Sequence, residues 1–172
     1  MRPPFVVDVV ALRRHHGYRE RVAVHAPLTG MRVMESWVPD DAPIDVDLTL
    51  EAVEGGIVAA GTVRAPWVGE CRRCLGPVDG TIEADVSELF VRDPEEGEAY
   101  PILGDHIDLE PLAREAVVLA LPLVPLCRPD CAGLCTSCGA DLNAGPCGCA
   151  APGSDPRWAA LDALLDVPTD KP

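Results

Sequence analysis

The sequence predicts an α+β fold: an antiparallel β-meander, or partly closed barrel-like sheet, with one buried helix and a small cysteine-rich C-terminal segment. Three observations predict it. Ile44, Val46, Leu48, Leu50 and Ala52 alternate with Asp45, Asp47, Thr49 and Glu51, the period of a half-buried strand. A helical apolar stripe occupies the region of about 108–121. Six of the eight cysteines fall between positions 127 and 149.

Taken in order, Phe5 to Leu12 is a short apolar edge strand that runs into the basic turn Arg13-Arg14-His15-His16-Gly17-Tyr18-Arg19-Glu20-Arg21. Arg19 to Ala26 is a second short strand, with Val22 and Val24 alternating. Pro27, Gly30, Pro39 and Pro43 make 27–43 a long connection, with a strand around Arg32–Val38. The meander follows. The strand from Ile44 turns at Glu54-Gly55-Gly56, and Ile57 to Trp67 returns with Ile57, Ala59, Val63, Ala65 and Trp67 on one face. Beyond a loop holding Cys71 and Cys74, Thr81 to Val91 forms the third strand, with a phase slip at Glu88–Phe90 that predicts a bulge. Residues 92–106 are acidic and contain Pro and Gly, the composition of a mobile loop. Asp108 caps the helix, Pro111 fits its first turn, and Leu109, Leu112, Ala113, Ala116, Leu119 and Ala120 form the buried stripe. Val117, Val118 and Leu121 widen it, which predicts cover on most sides, and Pro122 ends it. Asp155 and Pro156 open a last short helix carrying Trp158, Leu161 and Leu165. The expected division is therefore a β-rich part over 1–126 and a cysteine-rich tail over 127–172.

With 172 residues and 48% hydrophobic side chains the chain can bury a true core. Aromatics are only 4%, so base-stacking platforms are scarce. The longest apolar run, Ala116 to Cys127, contains Pro122 and Pro125 and is far short of the ~20 residues of a membrane-spanning helix. Asp8 interrupts the only apolar stretch near the start, so no secretory signal is expected and the cytoplasm is the expected compartment. The net charge of −14 repels phosphate and favours a basic protein partner. Arg13, Arg14, Arg19, Arg21, Arg72 and Arg73 are the local exceptions and the candidate contacts to RNA or an acidic patch. A single Lys against thirteen Arg, with heavy Ala and Pro usage, is the composition of a high-GC bacterium such as an actinobacterium.

In a reducing compartment eight cysteines read as metal ligands before disulfides. Cys71-x2-Cys74 lies between two strands, where a tight turn directs both sulfurs toward one cation. Cys135-x2-Cys138 repeats the form, Gly139 suits its turn, and Cys147-Gly148-Cys149 follows closely enough to complete four sulfurs. The favoured partition is two Zn²⁺ ions: Cys135, Cys138, Cys147 and Cys149 around one, and Cys71, Cys74, Cys127 and Cys131 around the other. A single zinc with four spare thiols and a set of disulfides are the competing arrangements, and ferrous iron also suits S₄ ligands. A full S₄ shell leaves no open position for water or substrate, so the metal is structural. No phosphate-cradling glycine loop occurs, and His15, His16, His25 and His106 lack a neighbouring nucleophile pattern. No enzyme activity and no small-molecule substrate are expected.

Gly69-Glu70-Cys71-Arg72-Arg73-Cys74-Leu75, the run Leu119-Ala120-Leu121-Pro122-Leu123-Val124-Pro125-Leu126-Cys127, and Cys131-Ala132-Gly133-Leu134-Cys135-Thr136-Ser137-Cys138-Gly139-Ala140-Asp141-Leu142-Asn143 together resemble the bacterial YceD family. The resemblance covers about 5–165. It implies a non-enzymatic factor in accumulation, processing or assembly of the large ribosomal subunit, acting on its RNA precursor or on a basic ribosomal protein. It also implies that Cys71, Cys74, Cys127 and Cys131 are the family's metal positions, the later four cysteines varying among members. A zinc-stabilised adaptor or regulator unrelated to ribosomes is the alternative, and a thiol-based redox sensor a more distant one.

Overall fold

A computed structural model describes residues 3–15, 17–95, 97–149 and Arg157. The helix expected from Asp155, with Trp158, Leu161 and Leu165, lies outside the described residues. Two compact units are distinguished, residues 1–131 and residues 132–172.

The first unit contains β1 (Val6–Asp8), α1 (Val10–Arg14), β2 (Arg19–Pro27), β3 (Arg32–Val33), β4 (Ser36–Trp37), β5 (Pro43–Val53), β6 (Gly56–Glu70), β7 (Pro77–Val91), β8 (Tyr100–Leu103), β9 (His106–Asp108) and α2 (Glu110–Ala120). The strands form one sheet in the order β1-β9-β8-β7-β6-β4-β3, with β5 and then β2 attached to β6. This sheet curls into an open half-barrel. Its spine is β6. One edge of β6 pairs with β5 over 56–64 and with β4 at 68–69, and the other pairs with β7 over 57–70.

Alternation fixes which face is buried, because a slip of one residue would turn every apolar side chain outward. Ile44, Val46, Leu48 and Leu50 of β5 and Ile57, Ala59, Val63 and Ala65 of β6 are all at most 1% exposed. Leu112, Ala113 and Val117 of α2 are buried with them in one core. Each such large side chain contributes about 1.5–3 kcal/mol on burial. At Gly61 the strands come so close that an added Cβ would stand 2.2 Å from the Asp47 carbonyl oxygen. Gly80 is crossed by the Trp67 ring, whose Nε1 lies 2.9 Å from where its Cβ would be.

Five expectations are corrected. The strand expected over Phe5–Leu12 ends at Asp8, and α1 follows. Asp8 Oδ1 accepts the Val10 N–H at 3.0 Å, and the helical turn buries both Val9 and Leu12, which a strand would place on opposite faces. Instead of a bulge at Glu88–Phe90, the β6–β7 register runs unbroken from Ile57↔Phe90 to Glu70↔Pro77. Glu88 occupies an inward-phase position that remains exposed, so its polarity mimics a slip. Part of the 92–106 loop is sheet: Tyr100 stacks on Phe90 at 5.3 Å, Ile102 is buried, and Gly104 at φ 64 turns β8 into β9. The sheet is also not wholly antiparallel, since β7 and β8 run parallel at Phe90↔Tyr100. Finally, α2 is covered on one side only. Leu119 is 85% exposed, because it follows Glu115 by four residues on the solvent face.

Candidate metal centres

The structure gathers the eight cysteines into two groups of four, each with its sulfurs within 4.8 Å of one another. Cys71, Cys74, Cys127 and Cys131 form one and Cys135, Cys138, Cys147 and Cys149 the other.

The first group sits at the tip of the β6–β7 hairpin. There the chain makes a tight knuckle: Cys71 N–H donates to Gly76 O at 2.7 Å and Leu75 N–H to Cys71 O at 2.8 Å. Closing it requires Leu75 to adopt a φ of 59, a conformation that costs an L-residue about 1–2 kcal/mol. The opposing cysteines arrive from the segment after α2, which is anchored three times. The buried Ser36 hydroxyl donates to Pro122 O at 2.7 Å, Arg72 N–H to Pro125 O at 2.9 Å, and Arg73 Nη1 to Cys131 O at 2.9 Å and Pro129 O at 3.2 Å. Cys71 Sγ then lies 3.8 Å from Cys131 Sγ, and Cys74 Sγ 3.7 Å from Cys127 Sγ. A disulfide needs ~2.05 Å. A tetrahedral shell with Zn–S of ~2.3 Å places neighbouring sulfurs ~3.8 Å apart. These residues fit a four-coordinate thiophilic cation.

The second group repeats the knuckle. Cys135 N–H donates to Ala140 O and Gly139 N–H to Cys135 O, both at 2.8 Å, and Gly139 has φ 74. Around it a polar frame replaces a core: Asn143 Oδ1 accepts the Ala132 N–H at 2.9 Å, and Asp141 Oδ1 accepts the Asn143 N–H at 2.9 Å. Cys71 and Cys131 are buried, whereas Cys138 and Cys149 are exposed.

Electrostatics within each group are unequal. Backbone hydrogen bonds from Cys127 and then Cys74 lower the Cys71 thiol to about 6. Those of Ser137 and Cys138 do the same for Cys135, also to about 6, and Ser137 N stands 3.4 Å from its sulfur. Cys127 is pushed up to about 12, by the Cys131 thiol first and then by burial. Each knuckle thus presents one sulfur that is anionic at neutral pH, a first anchor for a cation, and arriving metal displaces protons from its neighbours.

The six arginines expected as contacts are placed unequally. Arg13 pairs with Asp105 at 2.5 Å, Arg19 with Glu51 at 3.0 Å and Arg21 with Asp47 at 2.5 Å. Together with Arg64–Glu83 at 2.8 Å, the pairs on β2, β5, β6 and β7 form a ladder on the sheet's outer face. The Arg21 hydrogen bond holds the Asp47 carboxyl below its ordinary range, and Arg64 does the same for Glu83. Arg73 belongs to the first cysteine group. Arg14 and Arg72 are exposed and make no ion pair among the described residues. The spacing of the cysteines indicated both groups, but nothing in the sequence indicated Ser36, the turn conformation of Leu75 or the hydrogen bonds of Arg73 to the Pro129 and Cys131 carbonyls.

Among the described residues no helix is long and apolar enough to cross a membrane. Residues 59–165 match the family model of the large ribosomal RNA subunit accumulation protein YceD. An uncharacterized protein of Mycobacterium tuberculosis is 39% identical over 97% of this chain and 84% of its own length. Another from Mycobacterium leprae is 37% identical over 96% of this chain and 80% of its own. An Arabidopsis thaliana protein named large ribosomal RNA subunit accumulation protein YCED homolog 1, chloroplastic, is 26% identical over 82% of this chain and 55% of its own length. No solved structure matches the chain.

Proposed function

Because the chain belongs to the large ribosomal RNA subunit accumulation protein YceD family, we propose that it is a non-enzymatic, zinc-binding factor in large ribosomal subunit biogenesis. The single observation that carries this is the family match over 59–165, which includes both cysteine groups. Cys71, Cys74, Cys127 and Cys131 hold one Zn²⁺; Cys135, Cys138, Cys147 and Cys149 hold a second. Four thiolates close each shell, so the ions brace the fold and leave no position for a reacting group. Two such sites carry eight thiolates against four positive charges, which makes a chain of formal charge −14 about four units more negative. Its working contact is accordingly with a basic ribosomal protein on the large-subunit precursor, in the cytoplasm, with Arg14 and Arg72 left to meet RNA phosphate. Sedimentation of the tagged protein from cell lysate tests the reading. It is expected to run with large-subunit precursors, and deletion of the gene to lower large-subunit RNA relative to small-subunit RNA. A protein that stays at the top of the gradient, with RNA ratios unchanged on deletion, would leave the alternative of an adaptor unconnected with ribosomes.

A further inference from the structure

The β7 strand has one edge that the sheet does not use. It pairs with β6 along Pro77–Phe90, but on its other side meets β8 only at Phe90 and Val91. From 77 to 89 that edge offers unpaired backbone donors and acceptors among the described residues. Such an edge is a template for another strand unless it is shortened, kinked or covered. Here it is long and free of bulges. A groove of about 350 Å³ runs beside it, between the edge at 83–88 and α2.

The groove has two chemistries on two faces. Toward α2 it is apolar, lined by Val86, Ala116 and the 85% exposed Leu119. On the outer face stand the exposed acids Asp79 and Asp85, and Glu88 and Glu115 close the rim. No basic side chain lines it. A second copy of β7 would set acid against acid, which disfavours self-pairing.

We propose that this edge is a docking site for an extended, basic segment of a partner protein, which adds to the sheet as a strand beside β7. Alternate side chains of the segment are apolar and enter the groove beneath Leu119; those between them are basic and meet Asp79 and Asp85. Backbone hydrogen bonds supply attachment, and the alternating pockets and charges supply selectivity. This locates the protein contact that the proposed function calls for and rests on that reading only for the partner's identity.

A dye-labelled ten-residue peptide alternating valine and lysine, titrated against the full chain by fluorescence anisotropy at low salt, tests it. Saturable binding is expected. One of two versions N-methylated on alternate residues should bind at least tenfold more weakly and the other about as well as the parent, because only one set of amides faces the edge. The double variant Asp85→Lys/Glu88→Lys and, separately, Leu119→Asp should each weaken binding at least tenfold with unchanged melting temperature. Absence of saturable binding, equal binding of both N-methylated peptides to that of the parent, or equal binding of a valine–glutamate peptide overturns the proposal. Such a result with co-sedimentation intact would leave the ribosomal reading standing without this site.

Discussion

The two cysteine knuckles differ in the residue that closes each turn, and the difference is measurable. Gly139 takes its positive φ without strain, while Leu75 takes the same conformation with a Cβ. Gly139→Ala meets no atom within 4 Å, so its cost is purely conformational, about 1–2 kcal/mol. Leu75→Gly gains that much and loses about 0.5–1 kcal/mol to chain entropy, a net stabilisation of up to about 1.5 kcal/mol. Chelator midpoints of the two variants should move in opposite directions. The Cys71 sulfur offers a second test. Because its thiol is lowered to about 6 in a unit whose core does not depend on metal, the thiolate absorbance that Cys71→Ser removes from metal-stripped protein should stay level from pH 8 to 7 and fall below about 6. A normal thiol would lose that signal throughout that range. The linkage has the same sign: the thiolate's contribution is present above the ordinary thiol pKa and is lost as pH falls through about 6. Arg73 was legible only as a positive charge between two cysteines. Its hydrogen bonds to Cys131 O and Pro129 O make it a support for the first group, and Arg73→Ala should lower metal affinity there about 10–100-fold without affecting the second group. Tertiary carbonyl partners leave no trace in local sequence, which is why this role was invisible.

Among the elements, the meander was readable because β5 throughout, and β6 and β7 over most of their length, keep alternation, and alternation reports a sheet with one wet face. Reading failed where a short element owes its form to distant partners. The helix α1 has five residues, too few for a period, and is fixed by the burial of Val9 and Leu12. The strand β8 carries acidic, loop-like neighbours and is held by the Tyr100–Phe90 stack, a contact with a strand already complete. The solvent face of α2 is hidden from a sequence reading because Leu119 is apolar yet exposed, and composition does not distinguish a core leucine from a surface one. Closeness between β5 and β6 gives the sheet its sharpest mutational prediction. Gly61→Val places a side chain where even a Cβ would be 2.2 Å from the Asp47 carbonyl oxygen. Backbone cannot yield as a side-chain tip does, so a loss of at least about 2 kcal/mol is expected in denaturant unfolding. Gly55→Ala, where no atom lies within 4 Å but φ is 87, should cost only the smaller conformational penalty.

At the scale of the molecule, the two units fold on different terms. Among the described residues, all the buried apolar side chains of the core belong to residues 5–121, so the first unit has hydrophobic burial to hold it whether or not metal is present. The described part of the second unit has its knuckle, the Leu134↔Asp141 bridge and the Asp141–Asn143 frame. For such a segment, metal binding worth on the order of 10–16 kcal/mol in small peptides is the folding free energy itself. Access differs as well, since Cys71 and Cys131 are at most 2% exposed while Cys138 and Cys149 are open to solvent. Chelation should therefore proceed in two phases. The faster should release one equivalent of zinc, read with a colorimetric dye, while the β signal in circular dichroism stays intact. The slower should release a second equivalent and lower the melting temperature of the sheet, because Cys71 and Cys131 tie the hairpin tip to the segment after α2. Cys135→Ser/Cys138→Ser should bind one equivalent with only the slow phase left, and Cys71→Ser/Cys74→Ser should retain only the fast one. Loss of both equivalents in a single step, together with the sheet signal, would mean that the metal groups fold as one and that burial of the first protects nothing.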